Sequence, residues 1–182
     1  MTLNQLLKEV YALGFDEADE LSEEFVFSVN RALKMIYTEL VASEKLKITI
    51  GPEDEKSFDL RKYADNIMFV MSAPLDTDGY IIKGARSDGY IITLPDSFVG
   101  DAFIFYKPSP KTLSIDNGDY TLDVPEYTTH LLPLLTAFFV FLDDDSEKAE
   151  YYMSLYRSEA IKILRAYAFS QNNTYQDVTG WA

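Results

Sequence analysis

Apolar and polar positions follow two different periods along this chain, and the change of period divides it into regions. Leu3, Leu6, Leu7, Val10 and Leu13 recur at helical spacing. Thr2 and Gln5 have the spacing of a capping box and Gly14 suits a left-handed C-cap, so a first helix is predicted over about 3–13. Phe25, Val29, Ala32, Leu33, Ile36 and Leu40 form the stripe of a second helix over about 23–42, with Ser22 as its N-cap and Glu23 and Glu24 in its first turn.

From Ser43 the pattern changes to alternation of two and to β-branched residues. Strands are expected at Lys47–Ile50, Ser57–Leu60, Ile67–Ser72, Tyr80–Lys83, Gly89–Leu94 and Ala102–Lys107. Turn clusters separate them, among them Asp76-Thr77-Asp78-Gly79 and Arg86-Ser87-Asp88-Gly89. Short strands with short turns imply one small antiparallel sheet, inserted over about 46–107. Lys107-Pro108-Ser109-Pro110 ends it, and Ser114–Asp119 is expected to be a flexible loop.

The strongest signal comes last. Leu131–Leu142 is almost unbroken apolar sequence, yet too short by roughly eight residues to cross a bilayer, so it predicts a helix buried on most sides, over about 130–143. Asp123 with Glu126 is placed to cap a helix having Pro125 in its first turn, but Pro133 would cost a continuous helix a hydrogen bond, so a short turn at 125–129 and a kink or restart near 130 are expected. The acidic corner Asp143-Asp144-Asp145-Ser146-Glu147 follows, with Asp144 and Glu147 at capping-box spacing. A fourth helix over about 147–169 carries Ala149, Tyr152, Met153, Tyr156, Ala160, Ile163, Leu164 and Tyr167 on one stripe. Lys148, Glu150, Arg157, Lys162 and Arg165 lie off it. The tail 171–182 has no such stripe and is expected to be disordered unless held by a partner. The fold class is thus α+β: two N-terminal helices and a C-terminal helical hairpin bundled together, with a small antiparallel sheet inserted, as one domain over 1–170 and an arm over 171–182.

Composition narrows the chemistry. With 182 residues, 47% hydrophobic and 25% charged, the chain suits one globular core. There is no cysteine, which removes disulfides, thiolate nucleophiles and Cys-ligated metals. The start MTLNQLLKEV has neither the basic region nor the cleavage site of a secretory signal, so export is not expected. The formal charge of −14 opposes ordinary nucleic-acid binding, which depends on Lys and Arg displacing phosphate counterions. Thirteen tyrosines suit contact surfaces, although half or more are expected in the core.

No reactive constellation stands out. His130 is the only histidine and would have to serve any Ser–His–acid mechanism, but no G-x-S-x-G elbow accompanies it; a helix-start residue with its ring bonded to backbone is the reading preferred. Phosphate-binding glycine loops are absent. The acids of FDEADELSEE lack calcium-loop spacing, and Asp143, Asp144 and Asp145 read as helix caps rather than magnesium ligands. No catalytic, cofactor or metal site is expected.

The arrangement as a whole resembles the head-to-tail adaptor (connector, or head-completion) proteins of tailed bacteriophages. The likeness covers about residues 3–168. It is carried by the two opening helices, Leu94-Pro95-Asp96-Ser97-Phe98, Phe103-Ile104-Phe105-Tyr106-Lys107-Pro108, Asp123-Val124-Pro125-Glu126-Tyr127, the Leu131–Leu142 helix and the corner leading into Glu147-Lys148-Ala149-Glu150-Tyr151-Tyr152. It implies a non-enzymatic structural protein of the virion neck, made in the host cytoplasm. The protein would form a ring with copies of itself, commonly a dodecamer, beneath the portal protein, and would dock the next tail component. DNA would pass through the channel without specific binding, and no membrane is involved. The resemblance further implies a C-terminal arm gripping the portal or a neighbouring subunit, with Tyr175, Val178 and Trp181 as anchors. The alternative is an acidic mimic of DNA that inhibits or regulates a nucleic-acid-binding enzyme; a carboxylate-based metal-dependent hydrolase is a third reading.

Overall fold

Thr2 opens the first helix with the reciprocal bonds of a capping box: its hydroxyl accepts from the Gln5 N–H (3.2 Å) and the Gln5 Oε1 accepts from the Thr2 N–H (2.7 Å). These coordinates are a computed structural model that describes residues 1–14 and 21–179, with side chains described through Ala166. Helix α1 spans Leu3–Ala12 and buries Leu3, Leu6, Leu7 and Val10. Gly14, at φ +99°, turns the chain out of it, a backbone geometry that costs any residue with a Cβ. Helix α2 spans Glu23–Glu39, and the Ser22 hydroxyl accepts from the Phe25 N–H at 3.1 Å. All six residues of its expected stripe are buried. It ends at Glu39, three residues short of the expected 42, with Leu40 as its C-cap.

The strands follow: β1 (Glu44–Ile50), β2 (Ser57–Asp59), β3 (Ile67–Val70), β4 (Arg86–Asp88), β5 (Ile91–Thr93) and β6 (Gly100–Pro108). They make two three-stranded antiparallel sheets rather than one, in the orders β1-β6-β3 and β2-β5-β4. Two other expectations fail here. Tyr80–Lys83 contributes only an isolated bridge between Leu75 and Ile81, and Arg86–Asp88, expected as a turn, is an edge strand. The causes differ: the turn at Asp76–Gly79 takes up both the N–H and the carbonyl of Tyr80, which leaves Ile81 only the bridge, whereas an exposed edge strand has no apolar alternation to announce it. Ile48, Ile50, Phe58, Leu60, Ile67, Ile82, Ile92, Leu94, Ala102, Ile104 and Tyr106 form the interior of this unit.

Helix α3 spans Leu131–Phe141 after a 3-10 turn at Glu126–Thr128. The expected restart near 130 is present, because Pro133 sits in the first turn, where its missing N–H costs no helical hydrogen bond. Asp123 and Glu126 do not cap the turn; Pro125 occupies that position, and its carbonyl accepts from the Thr128 hydroxyl at 2.8 Å. Helix α4 spans Ser146–Thr179, so its backbone runs past the end expected near 169. Its first turn is capped one residue later than expected: Asp145, not Asp144, accepts from the Lys148 N–H at 3.0 Å. Ala149, Tyr152, Met153, Tyr156 and Ala160 of the expected stripe are buried and Ile163 is half-buried, whereas Leu164 is exposed.

The chain separates into two compact units, Met1–Leu40 with Thr112–Ala182, and Val41–Lys111. Among the described residues the first holds the four α-helices and the second the six strands, so the class is α+β. Within the helical unit α1, α2 and α4 all pack on α3, whose Leu131, Leu132 and Leu135 are fully buried. Each such side chain contributes about 1.5–3 kcal/mol through apolar burial, which makes α3 the hub of its unit. The segment 114–119, expected to be flexible, contains a 3-10 turn at Ile115–Asn117, and the Ser114 N–H donates to Asn117 Oδ1 at 2.8 Å. Asn4 holds it to the start of α1, its N–H donating to the Gly118 carbonyl at 2.9 Å.

Candidate functional site

The residues expected to carry function fall unevenly on this framework. Tyr175 and Val178 lie on the last turns of α4, beyond the described side chains, and Trp181 is outside the described residues. His130 stands at the start of α3, exposed, and makes no capping hydrogen bond, so the expected ring-to-backbone bond is not formed there. Residues 15–20, which hold most of the acidic run before α2, are outside the description. Among the described residues no group of three or more His, Asp or Glu side chains is placed to hold a metal ion. No helix among them is long and apolar enough to cross a membrane.

Tyrosines divide between two jobs. Tyr37, Tyr106, Tyr152 and Tyr156 are buried, and each hydroxyl donates to an acceptor in its own unit. Tyr156 reaches Glu39 Oε2 at 2.7 Å and so ties α4 to the end of α2. Burial, reinforced by Glu39, pushes its phenol well above the ordinary range. Tyr106, buried in the β unit and bonded to Glu44, is pushed up to about 12. Tyr11, Tyr63, Tyr80, Tyr127 and Tyr151 are exposed and Tyr90 and Tyr120 half-buried, so among the described side chains fewer than the expected half of the tyrosines are fully buried.

Exposed apolar side chains occur on both units, and two groups of them lie beside charge. On the helical unit, Leu142 and Tyr151 flank the acidic α3–α4 corner, in which Asp143, Asp144 and Glu147 face solvent. Lys148, the only basic residue from 142 to 156, is turned inward: its Nζ lies 3.9 Å from the Phe141 ring and donates to the Gly14 carbonyl at 2.8 Å. Nearby on the bundle, Arg31 stacks 4.4 Å from the Phe139 ring and 5.7 Å from that of Phe27, which is otherwise exposed. A groove of about 510 Å³, bounded by Phe138, Met153 and Arg157, runs between α3 and α4.

On the β unit, strand β6 alternates sharply. Ala102, Ile104 and Tyr106 go inward, leaving Phe103 and Phe105 on the outer face of sheet β1-β6-β3. Pairing places Lys45 opposite Phe105, Lys47 opposite Phe103 and Phe69 opposite Lys107, while the Met71 N–H bonds the Phe105 carbonyl. The outer face is therefore aromatic and Met-bearing at its centre with lysines around it. Sequence reasoning passed over it, although the signal was present: a half-buried strand alternates apolar with polar, whereas Phe103-Ile104-Phe105-Tyr106 is apolar at every position.

Charge is also unequally shared. The helical unit carries 19 Asp and Glu against 7 Lys and Arg, net −12, and the β unit carries 11 against 9, net −2. Most of the net negative charge of the chain thus belongs to the helical unit. In comparisons with known proteins, no family model and no curated sequence matches the chain.

Proposed function

We propose that this chain is a structural adaptor of the head-to-tail junction of a tailed bacteriophage, acting through its surfaces and not as an enzyme. The observation that carries the reading is the order of parts: two helices, an inserted β unit, then a buried hub helix turning through an acidic corner into a long final helix. This is the layout on which the resemblance to head-completion proteins rests. Under this reading copies assemble into a ring beneath the portal protein, the end of the chain with Tyr175, Val178 and Trp181 grips the portal or a neighbour, and the exposed end of the ring receives the next tail component. A channel whose walls draw on the −12 helical unit repels the phosphate backbone, so DNA slides through without adhering.

The same concentration of acid favours a second reading, a DNA mimic that occupies the basic cleft of a nucleic-acid-binding enzyme. Sedimentation separates the two. Mixed with the portal protein of the same phage, an adaptor sediments as a large cyclic complex. A mimic stays small with the portal and instead binds a DNA-binding enzyme, with affinity that falls steeply as salt is added. Absence of a portal complex refutes the adaptor reading.

A further inference from the structure

We propose that the outer face of sheet β1-β6-β3 is the docking site for a second copy of this chain, which presents the acidic α3–α4 corner of its helical unit. The inference gives the ring of the adaptor reading its interface and rests on that reading only for closure into a ring. Four large apolar side chains define the face: half-buried Phe103 and Phe105 on the central strand, and exposed Phe69 (40%) and Met71 (50%) beside them. Sheet faces turned to water ordinarily carry polar side chains, and contiguous apolar surface rimmed by charge is the signature of an interaction site.

The rim selects the occupant. Lys45 lies with its Nζ 3.8 Å from the Phe103 ring and 5.9 Å from that of Phe105, and among the described residues no carboxylate pairs with it. Lys47 pairs with Asp101 at 2.8 Å yet keeps 55% of its side chain in solvent. An ammonium held over aromatic rings at an apolar face is a ready partner for an incoming carboxylate. The helical unit supplies that chemistry: the exposed carboxylates Asp143, Asp144 and Glu147 lie between exposed Leu142 and Tyr151 along the chain, and the single lysine there is turned inward. Apolar meets apolar and cation meets anion. Because the two surfaces belong to different units, the contact joins unlike patches of successive copies, the head-to-tail arrangement that closes a ring or propagates a filament. A single-stranded nucleic acid could also stack on paired aromatics, but a β unit of net −2 attached to a bundle of net −12 disfavours a phosphate polymer.

Sedimentation velocity of the full-length protein without portal tests this directly. The wild type is expected to show concentration-dependent association that weakens with salt. The double variant K45E/K47E and, separately, D143K/D144K should each weaken association at least about tenfold, because each sets like charges against one another. Combining both pairs should restore it. All four positions are exposed, so far-ultraviolet circular dichroism should be unchanged; M71S tests the apolar centre without touching charge. A strictly monomeric wild type, association indifferent to the charge reversals, or failure of the combined variant to recover each overturns the proposal. So does binding of a fluorescent oligothymidylate that K45E/K47E abolishes. Portal-bound rings that persist in K45E/K47E would remove this interface and keep the adaptor reading; wild-type protein that never joins the portal would remove the adaptor reading whatever the sheet face does.

Discussion

Truncating Leu135 to Ala tests whether α3 is the hub of the helical unit. Leu135 is fully buried at the centre of the helix on which the other three pack. Loss of three buried carbons, together with the cavity left in so well enclosed a site, is worth about 3 kcal/mol, within the roughly 2–5 kcal/mol span of such substitutions. For a chain of this size that lowers the melting temperature by about 6–12 °C. Among the described residues every α-helix lies in the helical unit, so ellipticity at 222 nm follows that unit and not the sheets. Phe138 is the internal control: it lies on the same helix but is only half-buried at the groove bounded by Met153 and Arg157. F138A should therefore cost less than L135A despite removing a larger side chain, and F138D should leave a folded protein where L135D does not, since an unpaired buried charge costs several kcal/mol. Equal or reversed effects at the two positions would refute the assignment of α3 as hub.

Other expected outcomes are independent of the hub. Thr136 is fully buried and its hydroxyl finds no partner among the described residues, so T136V should raise stability by about 1 kcal/mol in chemical denaturation. Tyr106 has its pKa raised from near 10 to about 12, so its stabilising contribution is complete below pH 10 and disappears as pH rises through 12; the denaturation midpoint should decline across that window and decline less in Y106F. Removing residues 171–182 should leave the melting temperature nearly unchanged while abolishing co-sedimentation with the portal.

Much of the helical architecture was legible because each helix announces its start chemically. The Thr2–Gln5 pair, Ser22 and the proline at the head of α3 are local signals, read without knowing what packs above them. The two sheets were less legible. Arg86–Asp88 is a strand only because Ile91–Thr93 pairs with it, and no property of Arg-Ser-Asp by itself foretells that. The Asp145 cap shows the limit within a strong motif: in a run of three aspartates the spacing to Glu147 favoured Asp144, but the backbone enters α4 one residue later.

The surfaces were the least legible part, because an apolar residue in sequence carries no label saying whether its face will be covered. Phe103 and Ile104 are adjacent and equally apolar, yet one points outward and the other is fully buried. Only the pairing of β6 with β1 and β3 shows that Phe69, Phe103, Phe105 and Lys45 gather on one side. Likewise the net charge of −14 acquired a location only when the chain resolved into units carrying −12 and −2. A uniform acidic coat favours solubility, whereas a divided one also favours ordered contact between unlike patches.

The central claim, that this protein works by assembling around a viral vertex rather than by transforming a substrate, meets its most direct test in electron microscopy of the purified protein mixed with its portal. The account predicts annular density added coaxially beneath the portal, with the same rotational order in every particle. Portal rings that remain bare while the protein stays solitary would contradict it.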